Sequence, residues 1–219
     1  MPNFFHLLST FAETYPVFLK GMWMTLYVTA ISLLIAIIIG LVFALLKISG
    51  IKLFEWIANL YIYVVRGTPL ILQIFIFYFG LAELNISAFW SVALGLAFHN
   101  GAYIAEIFRG CIQSIDKGQM EAGRSLGMSK NLTMRRIILP QAFKRALPPL
   151  GNQFIIALKD SSLAAFIGFY ELFNVATTLG ANEFDSMTYL IIAGVYYLIL
   201  VFIFTLLVSA LEKKMAAGD

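Results

Sequence analysis

Charge is what this 219-residue sequence has least of: 12% of its residues are Asp, Glu, Lys or Arg, against roughly 25% in soluble domains. An ordinary soluble globule is thereby excluded, because a body of this size needs a polar rind. A single cysteine, Cys111, rules out an internal disulfide and suits a buried, inert thiol. No G-x-x-x-x-G-K-[ST] segment occurs, so the chain has no phosphate-cradling loop and is not expected to hydrolyse ATP unaided. No G-x-S-x-G elbow is present, which leaves a membrane enzyme unsupported. His6 and His99 stand alone, and no Cys, His, Asp and Glu residues share metal-ligand spacing, so no metal is expected. A net charge of +3 is far from the basic field of a nucleic-acid-binding protein. The first residues carry Glu13 and no basic start before an apolar core, so no removable signal peptide is expected.

What the sequence has in abundance is apolar length. Hydrophobic residues make up 61% and the mean hydropathy is +0.87. Apolar runs at about residues 21–46, 54–81, 88–108, 150–170 and 188–211 each approach or exceed the roughly 20 residues that cross a bilayer core. The expected fold is all-α, a single polytopic membrane bundle of five transmembrane helices, with one large polar loop at residues 109–147. Lys and Arg mark the side on which loops are retained. With the N-terminus outside, Lys47, Lys52, the basic residues from Arg109 to Arg145, Lys213 and Lys214 all fall inside, while Lys20 alone is outside. The loop and the C-terminus are therefore expected in the cytoplasm. Ser32, Ala36, Gly40 and Ala44 repeat every fourth residue in the first run, as do Ala93, Ala97, Gly101 and Ala105 in the third. Such stripes let helix backbones approach closely within a bilayer, and packing inside the subunit is their expected use.

The polar loop reads Glu121-Ala122-Gly123, three residues, Gly127, nine residues, then Ile137-Ile138-Leu139-Pro140. Gln119 to Leu126 predicts a short helix stopped by Gly127, and Ser129 can cap a second helix expected to end at Pro140. Ala122 and Gly123 would let a partner backbone approach, with Glu121 and Arg124 at the edge, and such a bend suits insertion into a partner's groove.

This pattern resembles the EAA loop of ABC importer permeases, departing from it where Gly123 replaces the second alanine. Gly21 to Leu26, Arg66-Gly67-Thr68-Pro69-Leu70, Ala102 to Glu106 with Arg109-Gly110, and Lys159 to Leu163 extend the resemblance to the polar amino-acid branch. That branch transports histidine, glutamate, glutamine, arginine and opines. The resemblance implies a bacterial inner-membrane permease. It pairs with a second permease copy, identical or not, docks an ATP-binding subunit dimer on the EAA loops, and receives its amino acid from an extracytoplasmic binding protein. ATP and Mg²⁺ would then belong to the partner ATPase, with no cofactor in this chain and no nucleic-acid partner.

Ionisable residues inside a span are costly and are therefore candidates for function. Lys159 and Asp160 lie in the fourth run beside Ser161 and Ser162, and Asn100, Tyr103 and Glu106 share a face of the third helix, with His99 at its margin. Arg66 precedes Gly67-Thr68-Pro69, a sequence that breaks helix hydrogen bonding, as cavity-lining helices do. One reading has Asp160 or Glu106 receive a cationic group of the amino acid while Ser161, Thr68 or backbone N–H groups hold its carboxylate. The other has Arg66 pair with Asp160 and Lys159 with Glu106 purely for packing. A gradient-driven secondary transporter and a non-transporting membrane scaffold are the alternative functions.

Overall fold

The structure, a computed structural model, describes residues 3–216. Helix α1 (Phe4–Lys47) opens on Asn3, whose side chain accepts from the Phe5 N–H, and its 44 residues extend about 66 Å. It begins well before the apolar run at 21–46, because Leu7, Phe11 and Phe18 pack on residues 172–196 and keep the helix going. Helix α2 (Lys52–Arg66) and α3 (Leu70–Phe75), the latter continued by a π turn over Ile76–Gly80, follow. Next come α4 (Ala88–Gln113), α5 (Lys117–Ser125) and α6 (Lys130–Thr133). A π turn, Met134–Ile138, leads into α7 (Leu139–Asp160), which tightens into a 3₁₀ segment, Ser161–Ile167. Helices α8 (Leu172–Asn182) and α9 (Ser186–Ala216) complete the described chain, in which no strand occurs.

The packing centre is the seam between α1 and α4, where the two small-residue stripes meet. A Cβ on Gly40 would stand 2.5 Å from Ile104 Cγ2, and one on Gly101 would stand 2.7 Å from both Ile39 Cγ2 and the Tyr61 hydroxyl. Ser32, Ala36 and Ala44, with Ala93, Ala97 and Ala105, are buried along the same seam. Leu34, Ile38 and Val42, on the far side of α1, are exposed, as a lipid-facing stripe should be. Hydroxyls inside α1 satisfy themselves: Thr25, Thr29 and Ser32 each donate to the carbonyl four residues back.

Among the described residues, two helices, α1 and α9, are individually long and apolar enough to cross a bilayer, or up to four if each bent pair counts as a crossing. The run at 54–81 is one such pair, bent by 104° after Arg66. Helix α4 is long enough, but His99, Asn100 and Tyr103 lower its hydropathy. It can carry them because it lies in the middle of the bundle, with Asn100 and 12 other residues buried.

The helix expected to stop at Pro140 does not. The π turn ahead of α7 widens the backbone where Pro140 lacks its N–H, and the helix runs on to Asp160. Pro148 and Pro149 also lie inside α7. They lie where the polar loop meets the bundle, one turn after exposed Lys144 and Arg145. Helix α7, which leads into the apolar run at 150–170, therefore begins at Leu139.

Candidate functional site

Three places carry the sequence-derived candidates: the break between α2 and α3 with the adjoining face of α4, the end of α7, and the bend formed by α5 and α6. At the break, Gly67 N–H reaches the Tyr63 carbonyl and Thr68 Oγ1 donates to the Val64 carbonyl at 2.9 Å. Gln73, 5% exposed, fills the gap: its amide donates to the Val65 carbonyl at 2.9 Å, to Thr68 Oγ1 at 2.9 Å and to the Thr68 carbonyl at 3.3 Å. At the last position of α2, Arg66 stands with its guanidinium carbon 5.0 Å from the Tyr103 ring centroid, a cation–π contact. Arg66 and Tyr103 share an open cavity of 570 Å³ with Lys47, Asn59 and Tyr63.

The remaining candidates are placed apart from that cavity. Asn100 is fully buried, donates to the Leu96 carbonyl at 2.8 Å and accepts from Gln153 at 2.7 Å, which joins α4 to α7. Glu106 takes Lys47 at 2.6 Å and Arg109 at 2.8 Å, so two cations already neutralise it. Among the described residues neither the Arg66–Asp160 nor the Lys159–Glu106 pair forms. At the end of α7, Lys159 is exposed, Asp160 is half-buried with no cation within 4.0 Å among the described residues, and Ser162 is half-buried. Ser161 is buried with its hydroxyl given to the Leu158 carbonyl at 2.7 Å.

Sequence reasoning missed three members of this polar interior. Gln73 had no local signal beyond its position after a helix break. Lys47 looked like a membrane-edge charge. Glu171 is 0% exposed and caps α8, accepting from Phe173 N–H at 2.9 Å, Asn174 N–H at 2.6 Å and the Tyr197 hydroxyl at 2.9 Å. An acidic residue just ahead of an apolar helical run was the available signal for that cap. Among the described residues, no three His, Cys, Asp or Glu side chains come together as a metal site.

The bend is built to be stiff. Asp116 caps α5 by accepting from Gly118 N–H at 2.6 Å. At the other end Gly127, at φ +83°, closes a Schellman turn, with Met128 N–H on the Gly123 carbonyl at 3.1 Å and Gly127 N–H on the Arg124 carbonyl at 3.0 Å. Ser129 then caps α6 through the Leu132 N–H. Glu121, Ala122 and Arg124 are exposed, and Leu126 at the tip is 82% exposed. Gly123 is turned inward, where a Cβ would lie 2.5 Å from Thr133 Cγ2. Its small size thus serves the chain's own bend, while Ala122 presents the open backbone to the outside.

A stiff bend, a broken helix and polar groups sequestered in an apolar helical bundle are features of a membrane transport subunit. Residues 36–217 match the family described as binding-protein-dependent transport system inner membrane component, and the chain belongs to that family. It is 40% identical over 207 residues to the arginine transport system permease protein ArtQ of Bacillus subtilis (strain 168), covering 93% of this chain and 94% of that protein. It is 38% identical over 208 residues to the glutamine transport system permease protein GlnP of Escherichia coli (strain K12), covering 91% and 93%. A solved structure of an amino acid ABC transporter with histidines superposes with a TM-score of 0.88 at 38% identity, covering 98% of this chain and 99% of that one.

Proposed function

We propose that this chain carries polar amino acids across the bacterial inner membrane by alternating access, driven by a separate ATP-binding subunit seated on the α5–α6 bend. The observation that carries this reading is the bend itself: capped at both ends, locked by a Schellman turn and tipped by exposed Leu126. A stiff lever transmits motion, whereas a solvated linker absorbs it. Glu121, Ala122 and Arg124 face the ATPase groove, while Gly123 and Gly127 set the angle. Five crossings are read as α1, α2 with α3, α4, α7 with its 3₁₀ extension, and α9, with the N-terminus outside and the bend in the cytoplasm. Exposed Lys159 supports a second permease copy, because a cation on a membrane face must meet water or protein. An extracytoplasmic binding protein delivers the amino acid, in keeping with the family's description.

Within this reading, the substrate site is assigned by which polar groups are already engaged. Glu106 is neutralised by Lys47 and Arg109, so Asp160, at the end of α7 and outside the Arg66 cavity, is read as the receiver of a cationic side chain rather than of the group beside the carboxylate. Ser161 and Thr68 spend their hydroxyls on backbone carbonyls, which leaves Arg66, open to the cavity, to take the carboxylate. Reconstitution with the ATPase subunit and the binding protein tests the whole assignment. Uptake of an amino acid that requires ATP supports it. Uptake on an ion gradient alone would make the chain a secondary transporter, and no uptake would make it a scaffold.

A further inference from the structure

The α2–α3 break contains a closed chain of contacts whose proton positions can be deduced. Gln73 is surrounded on one end of its amide by the Val65 and Thr68 carbonyls, which only accept, so that end is the NH₂. The other end, Oε1, therefore faces His99 Nδ1 at 3.2 Å, and an oxygen there requires His99 to carry its proton on Nδ1. The His99 ring lies against Tyr103, centroids 5.2 Å apart, and Tyr103 in turn carries the Arg66 guanidinium at 5.0 Å. The circuit closes on the backbone beside Arg66, since Gln73 holds the carbonyl of Val65.

We infer that His99, oriented by Gln73, is a positioning residue that fixes Tyr103 and Arg66 for recognition of the transported amino acid's carboxylate. The inference rests on the reading above that Arg66 receives that group. Arg66 has a long side chain on the rim of an open cavity, and no carboxylate lies within 4.0 Å of it among the described residues. A guanidinium so placed binds a carboxylate well only when its plane is already set, because both N–H···O contacts must form together. The Tyr103 ring supplies that setting, and His99 and Gln73 hold the ring. Asparagine at position 99 can place an amide N–H where Nδ1–H stood, whereas leucine cannot.

The test uses the purified complex of this permease with its ATPase subunit, without binding protein, and radiolabelled L-arginine, L-glutamine and L-histidine. The amino acid bound most tightly is compared with its C-terminal amide, which lacks only the carboxylate charge. The wild type is expected to prefer the acid at least tenfold, and His99→Leu to reduce that preference to near unity while binding of the amide changes less than twofold. His99→Asn should restore most of the preference, and Arg66→Leu should abolish it. If Arg66→Leu keeps the preference, or none of the three amino acids binds, the parent reading falls and the inference with it. If Arg66→Leu loses the preference while His99→Leu retains it, or if His99→Leu weakens acid and amide alike, the inference alone is overturned.

Discussion

Lys47 Nζ lies 2.6 Å from Glu106 Oε1, joining α1 to α4 across 59 residues of sequence. Arg109 holds the other oxygen of the same carboxylate at 2.8 Å. A carboxylate shared by two cations is a structural tie, and this separates Glu106 from Asp160, which has no cation within 4.0 Å among the described residues. Glu106→Gln should lower stability by roughly 1–3 kcal/mol, between the exposed and fully buried limits for an ion pair. Asp160→Asn should leave the thermal midpoint in detergent unchanged and reduce uptake of cationic amino acids at least tenfold. A stable, fully active Glu106→Gln would show that the tie carries little; normal uptake by Asp160→Asn would remove that residue from the site.

The seam between α1 and α4 leaves no room for a methyl group. Gly101→Ala would press its Cβ on Ile39 and the Tyr61 hydroxyl, each 2.7 Å away, and Tyr61 is fixed by its own bond to the Phe98 carbonyl at 2.6 Å. Overpacking of this kind costs about 1–3 kcal/mol, so the detergent-solubilised variant should unfold at a lower temperature. Gly110→Ala is the control, because nothing lies within 4 Å of a Cβ there. Equal midpoints for the two variants would show that the seam yields more easily than its distances imply.

Much of this architecture could be read from local sequence. The two small-residue stripes have a four-residue period, and each proved to be the other's partner. Gly127 and Ser129 ended and began helices where their backbone chemistry directs. Pairings set by tertiary structure were not legible: nothing near Glu106 in sequence points to Lys47, and nothing near His99 points to Gln73. Pro140 misled for a physical reason, since a π turn can absorb the missing N–H that normally ends a helix. Of the candidates, Arg66 was singled out by the helix-breaking residues after it and Tyr103 by its three-residue spacing with Asn100 and Glu106, and the fold brings these two together; the groups that hold them were not anticipated.

Glu171 joins three helices with one carboxylate. It caps α8, accepts from Tyr197 of α9 and lies 3.5 Å from Thr25 Oγ1 of α1. Glu171→Ala would leave buried donors without acceptors and should cost about 1–3 kcal/mol. Tyr197→Phe removes only one of those donors and should cost less, which paired melting curves would check. A larger loss in Tyr197→Phe would locate the junction's strength in the ring's hydroxyl rather than in the cap.

Outside the bundle, His6 Nε2 meets Asp185 Oδ2 at 2.9 Å, tying the start of α1 to the turn before α9. Thr188 first, and His6 second, hold the Asp185 carboxyl below the usual carboxylate range. A depressed folded-state value means that the contribution is present above the unfolded carboxylate's value of about 3.9 and disappears as pH falls through the folded one. Asp185→Asn should therefore melt below the wild type at pH 6, and the gap should close on acidification below about pH 4. A gap that persists unchanged in acid would mean that the asparagine disturbs the turn itself rather than removing a charge.

Gly123 offers the sharpest test of the bend, because the alanine that the EAA pattern places there does not fit this chain. Its Cβ would stand 2.5 Å from Thr133 Cγ2 and 2.9 Å from Thr133 Oγ1, whereas the next neighbour, Ile137 Cδ1, is at 3.3 Å. Thr133 is fully buried and its hydroxyl is given to the Ser129 carbonyl at 3.1 Å, so it cannot swing aside without breaking the α6 cap region. Gly123→Ala alone should open the angle between α5 and α6 and cut substrate-stimulated ATPase activity of the reconstituted complex severalfold, with membrane insertion intact. Gly123→Ala combined with Thr133→Ala removes both close atoms and should recover most of that activity, a coupling energy of roughly 1–2 kcal/mol between adjacent sites. Additive losses in the double variant would mean that Gly123 acts by touching the partner directly, and the bend would then have to be read from its outer surface.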